Sequence, residues 1–179
     1  KAMGGRHDNG TMCARKCVIY SGRAGVAQFK SAHAIETPHR TLADAMAGAD
    51  IFLGLSVKGA VTQDMVRSMA PQPIIFAMAN PDPEITPPEA KAAPPDCIVA
   101  TGRADDPNQV NNVLGFHFTF RGAPDVRATA INEEMKIGAA EASAHLAREP
   151  VTEEVDAAEG MNHTRGLGCV MRGPLDPHP

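Results

Sequence analysis

Three short apolar runs constrain this chain more than any other feature: "IFLGLS" at 51–56, "IIFAMAN" at 74–80 and "CIVATG" at 97–102. Each is continuous rather than alternating, the pattern of strands buried on both faces of a parallel sheet. The segments between them have helical spacing. "VTQDMVRSMA" opens on Thr62, a candidate N-cap, and sets Met65, Val66 and Met69 on one side. "ITPPEAKAAPPD" places Thr86 before Pro87 and Glu89 three residues on, a capping-box pattern for a short helix stopped by Pro94 and Pro95. "RTLADAMAGAD" (40–50) reads as a helix ending at Gly48, and "TMCARKCVIY" (11–20) as a fourth, weaker strand. "INEEMKIGAAEASAHLAREP" is a long helix with Ile131, Met135, Ala139, Ala142 and Leu146 on one side and Pro150 as its stop. Alternating strands and helices predict an α/β fold: a partial Rossmann-like, doubly wound parallel sheet with right-handed crossovers, a long C-terminal helix and an irregular Gly- and Pro-rich tail. With no Trp, one Tyr and 4% aromatic residues, the core must be built from aliphatic residues and Met.

In such a sheet, ligands bind in the crevice beyond the carboxyl ends of the strands. Ser56, Asn80 and the 101–112 loop all follow strand ends, so three polar loops are expected to line one edge. The third contains the amides of "PNQVNNV", and no acid, base or nucleophile in an evident pairing. An amide offers two donors and an acceptor in a fixed plane, which suits it to holding a polar ligand.

The remaining features narrow the class. A net charge of −4 and the lack of a basic stripe argue against a nucleic-acid partner. No apolar run approaches the roughly 20 residues that cross a bilayer, and "KAMGGRHDNG" has no apolar core of a signal peptide. A cytoplasmic protein is expected. Without an initiator Met, the chain is expected to begin mid-protein. Cys13 and Cys17 form a C-x3-C pair, but Cys97 and Cys169 lie far away with no paired histidine, so reduced thiols are favoured over a metal site.

Three segments then carry a resemblance: "GADIFLGLSVKGAVTQDMV", "PIIFAMANPDPEITPPEAKAAPPDCIVATGRADDPNQVNNVLGFHFTFRGAPDVRATAINEEMK" and "HLAREPV". They resemble the cofactor-binding domain of bacterial-type malic enzymes, oxaloacetate-decarboxylating malate dehydrogenases that are usually NADP-dependent. The resemblance runs from about residue 1 to 156 and is densest from 50 to 137. It implies a partial NAD(P)-binding domain over 1–150, followed by an irregular arm over 151–179. It also implies oxidative decarboxylation of (S)-malate to pyruvate and CO2 with reduction of NADP, in a full-length enzyme that forms a homo-oligomer.

By this resemblance Asn80 and Asn111 match the asparagines that hydrogen-bond malate near the nicotinamide; the alternative for Asn80 is an Asx turn before Pro81. Gly54, Ser56 and Gly59 look like the turn against the cofactor, or simply a tight strand-to-helix turn. Many family members have an acidic residue at about position 14, which would bond the ribose hydroxyls of NAD. Ala14 removes that charge, and Arg15 and Lys16 could pair with a 2′-phosphate, so NADP is expected over NAD; the alternative is that they are ordinary exposed charges.

The family's metal carboxylates, for Mg2+ or Mn2+, its catalytic tyrosine and lysine and its G-x-G-x-x-G turn match nothing here and are expected upstream. Lys58 and Lys136 read as solvated charges. Gly10, Cys17, His117 and Pro124 depart from the family pattern, Cys17 standing where a glycine is usual. A missing first strand would leave an open sheet edge. The isolated chain is therefore expected to be inactive, with a non-catalytic nucleotide-binding fragment as the alternative. A different dehydrogenase is disfavoured by "PNQVNNVLGF".

Overall fold

The computed structural model describes residues 6, 9–15, 17–94, 96–103, 105–106, 108–110 and 113–148. Lys16, Asn111 and the 151–179 arm lie outside the described residues. The centre of the fold is β3 (Ile51–Gly54), β4 (Ile74–Ala77) and β5 (Ile98–Thr101), a parallel sheet in the order 3-4-5. Ile51 pairs with Ile74 and Ile74 with Ile98, so side chains stand in matching rows across all three strands.

Since side chains alternate along a strand, Phe52, Ile75 and Val99 share one face with Gly54, Ala77 and Thr101. This face carries the core. Helices α2 (Leu42–Met46), α3 (Gln63–Arg67) and α4 (Pro87–Lys91) lie against it through buried Met46, Val66 and Ala90, with Val61, Met69, Ile85 and Cys97 filling between. Helices α3 and α4 fall on the same face, as two crossovers of one hand in a sequential order must. A Val or Met buried in this way contributes roughly 1.5–3 kcal/mol relative to exposure.

The opposite face departs from the expectation of burial on both sides. Ile51 and Leu53 remain 57% and 63% exposed, and Leu55 and Val57 beyond them are exposed too. The outer edge of β3 has no partner strand among the described residues, so the apolar run is continuous without being enclosed.

The helix starts follow the local chemistry. Thr62 accepts the Met65 N–H at 3.3 Å, and Thr86 and Glu89 complete a capping box with Pro87 in the first turn. Thr41 and Asp44 form a second capping box at α2, after which Gly48 turns the chain at φ +71° into β3. The 11–20 segment is not a strand of the parallel sheet. It splits into an antiparallel hairpin, β1 (Cys13–Ala14) with β2 (Cys17–Val18). Its polar middle breaks the apolar run, Cys17 takes φ +88°, and the Arg23 guanidinium donates to the Cys17 and Val18 carbonyls. A single turn, α1 (Gln28–Ser31), follows.

Beyond the sheet, α5 (Val113–Asp125) and α6 (Glu133–Leu146) pack against each other. Asn132 caps α6 by accepting the Met135 N–H at 2.9 Å. The helix ends at Leu146 with Ala147 as its cap, ahead of Pro150. Of its expected apolar side, Ile131, Met135, Ala139 and Leu146 are half-buried and Ala142 is exposed.

Candidate functional site at the carboxyl edge of the sheet

Three loops leave the carboxyl ends of β3, β4 and β5, and two carboxylates draw them together. Glu84 is fully buried, at 0% exposure. Its Oε1 accepts the Ser56 N–H at 2.6 Å and the Ser56 hydroxyl at 3.3 Å, while its Oε2 accepts the Ala79 N–H at 3.0 Å. The Glu84 carbonyl accepts from Val61 N at 3.1 Å, and the Pro83 carbonyl from Gly59 N at 3.4 Å. The loops after β3 and β4 are thus joined through both backbone and side chain.

Asp82 makes the second junction at the surface. Lys58 Nζ lies 3.1 Å from it and the Arg103 guanidinium 4.0 Å, so one carboxylate bridges cations from the first and third loops. Arg103 also grips Asp105 through two nitrogens, at 2.8 and 2.6 Å, and donates to the Pro81 carbonyl at 3.4 Å. The hydrogen bonds from Arg103 hold the Asp105 carboxyl below its usual range, and Asp105 raises the guanidinium in turn. Lys58 and Lys136 are therefore paired, Lys136 with Glu133 at 2.6 Å. All these pairs are exposed and screened, so they add little to overall stability.

The residues expected from sequence fall as follows. Asn80 is exposed at the β4 end, directly after the clamped Ala79, and its peptide bond to Pro81 is cis. Its side-chain amide makes no hydrogen bond among the described residues, so the Asx turn is not formed there. Ser56 and Gly59 are exposed beside it, Gly59 at φ +70° with nothing within 4 Å of where a Cβ would stand. At Gly54 the group that approaches is protein: a Cβ there would sit 2.5 Å from Glu84 Cδ. Asn111 and Lys16 lie outside the described residues. Ala14 is half-buried and Arg15 exposed on the hairpin, and no described hydrogen bond or ion pair joins either to the three loops.

Sequence reasoning missed Glu84, Asp82 and Arg103. Their partners in other loops lie 28, 24 and 22 residues away, out of reach of any local pattern. Asn108 is buried and donates its Nδ2 to the Val99 carbonyl at 3.1 Å. Together with the Asn108 carbonyl accepting from Thr101 N and Val110 N donating to the Thr101 carbonyl, it closes the outer edge of β5. The first amide of this stretch holds a strand.

A parallel sheet with polar loops converging beyond its strand ends defines an α/β domain of the nucleotide-binding type. Residues 20–158 match the family described as malic enzyme, NAD binding domain, and the chain belongs to that family. It is 60% identical to an NADP-dependent malic enzyme of Rhizobium meliloti over 99% of this chain and 24% of the relative. It is 57% identical to the NADP-dependent malic enzyme of Halomonas elongata over 98% of this chain and 42% of the relative. The crystal structure of Entamoeba histolytica malic enzyme superimposes with a TM-score of 0.74 at 33% identity, over 93% of this chain and 34% of that one. The chain thus spans less than half the length of these relatives.

Proposed function

We propose that this chain supplies the cofactor- and substrate-binding part of an NADP-dependent malic enzyme, which converts (S)-malate to pyruvate and CO2. The observation that carries the reading is the junction of Ser56, Asn80 and Arg103 loops at one sheet edge, in a chain 60% identical to a protein named NADP-dependent malic enzyme. The exposed Ser56, Gly59 and Asn80 fit a polar ligand lying across the strand ends. A nicotinamide cofactor bound there would supply the acceptor for a hydride from the malate hydroxyl carbon. The chain's own part is to orient. The Asn80 amide, with Asn111, holds a malate carboxylate or hydroxyl without neutralising it. Ser56 and Gly59, on the turn that Gly54 opens, receive the cofactor. Ala14 leaves room for a 2′-phosphate, and Arg15 and Lys16 neutralise it.

Among the described residues no group of three or more His, Cys, Asp or Glu could hold a metal ion. The described residues therefore do not fit the divalent ion of the family's reaction, and no step is drawn through it. A second reading for the chain alone is nucleotide binding without turnover.

Thermal unfolding of the chain with and without cofactor tests both. A ligand at a hundred times its dissociation constant stabilises the native state by about 2.7 kcal/mol. The expected result is a larger rise in midpoint with NADP than with NAD, and an Arg15→Ala variant in which the difference shrinks. A shift without malate-dependent NADPH formation supports the second reading; no shift with either cofactor overturns both.

A further inference from the structure

Glu84 is an expensive residue to place where it stands. A carboxylate removed from water must be hydrogen-bonded to be tolerated, and replacing a buried charge with a well-packed apolar group is often neutral or stabilising. Glu84 has no ion pair among the described residues, and its described partners are neutral: two backbone N–H groups and one hydroxyl. What a carboxylate offers here, and an apolar side chain or an amide does not, is two acceptor oxygens in one plane aimed at two separate loops. The two N–H groups occupy equivalent places, each two residues beyond its strand: Ser56 after β3 and Ala79 after β4. Ala79 immediately precedes Asn80. Gly54, at the last position of β3, leaves the space the carboxylate fills.

We propose that Glu84 is a positioning residue, whose buried carboxylate sets Ser56, on the cofactor side, against Asn80, on the substrate side. The assignment of sides rests on the function proposed above; the clamp itself rests on geometry. Glu84 touches neither ligand and acts through the two loops. Gly54 belongs to the same device, because any side chain there would push the carboxylate out of plane. Substituting Glu84→Gln keeps the volume but turns one acceptor into a donor facing an N–H, so only one loop stays held.

The test uses the 179-residue chain and two readouts, amide hydrogen exchange at Ser56 and Ala79 and the dissociation constant for NADP measured well below the unfolding midpoint. A Val66→Ala variant is the control, since Val66 is a core residue away from the loops and its truncation lowers stability alone. E84Q is expected to speed exchange at one or both amides and to raise the NADP dissociation constant about tenfold, which is about 1.4 kcal/mol of binding free energy. Val66→Ala is expected to leave the dissociation constant unchanged. Gly54→Ala should reproduce the E84Q effect in the native background and add little in an E84A background, where the carboxylate no longer competes for the space. Exchange and affinity in E84Q that match Val66→Ala would overturn the proposal. If the native chain binds no NADP yet E84Q still releases the amides, the clamp stands and the cofactor reading of the edge fails.

Discussion

At the scale of single residues, two positions test how tightly the backbone is specified. Cys17 sits at φ +88°, directly after the hairpin turn, in a region where any side chain is strained by about 1–3 kcal/mol. A G1-bulge hairpin places a glycine at this kind of position. Cys17→Gly is expected to raise stability by about 1 kcal/mol, read as a higher urea midpoint with an unchanged slope. Gly54 makes the opposite case. Gly54→Ala puts a Cβ 2.5 Å from Glu84 Cδ, and overpacking of that kind costs about 1–3 kcal/mol. Glu84→Ala is expected to cost a similar amount, about 1–3 kcal/mol for the buried Ala79 N–H left without an acceptor. Urea titration of the two variants checks both, and the double variant should cost less than the sum.

At the scale of elements, the capping boxes make helix stability depend on pH. Hydrogen bonds from Thr86 hold the Glu89 carboxyl below its ordinary value, and those from Thr41 and Arg40 do the same for Asp44. A carboxylate whose value is lower in the folded state contributes fully above its unfolded value and loses that contribution as pH falls through the folded one. Melting midpoints should therefore be level near neutral pH and fall below about pH 4–5, with a shallower fall in Glu89→Gln. These helix starts were legible in sequence because caps are local: Thr62, Thr86, Pro87 and Glu89 act within one turn. The turn at Gly48 was legible for the same reason. Helix α5 was not. Phe116, Phe118 and Phe120 recur every second residue, which carries no helical period, and Pro124 lies inside the helix near its end. Glu84 was hidden because its burial depends on a loop 28 residues away. The hairpin at 11–20 was misjudged because its break rests on Cys17 and on Arg23 reaching back to it. The position of Asn80 and Ser56 beyond the carboxyl ends of β4 and β3 followed from topology alone, since strand ends could be located from the apolar runs.

For the molecule as a whole, the exposed features all point outward from the same architecture. Ile51, Leu53, Leu55 and Val57 bare apolar surface beside a strand edge with no partner among the described residues, while Phe116 and Phe120 stack on each other, ring centroids 4.4 Å apart, on an exposed helix. A bare edge next to apolar side chains is a template for association. The isolated chain is expected to self-associate at micromolar concentration, and Leu53→Lys to raise its monomer fraction in sedimentation velocity; a native chain that stays monomeric would contradict this. The strand order has a different consequence, one of time. Ile51 meets Ile74 and Ile74 meets Ile98, so each strand pairs with the next one to be synthesised. Pairings between sequence neighbours close short loops and form faster than distant ones. On a ribosome, β3 and β4 can join once α3 and its turns have emerged, and β5 adds when it follows. The sheet can thus assemble in the order in which it is translated.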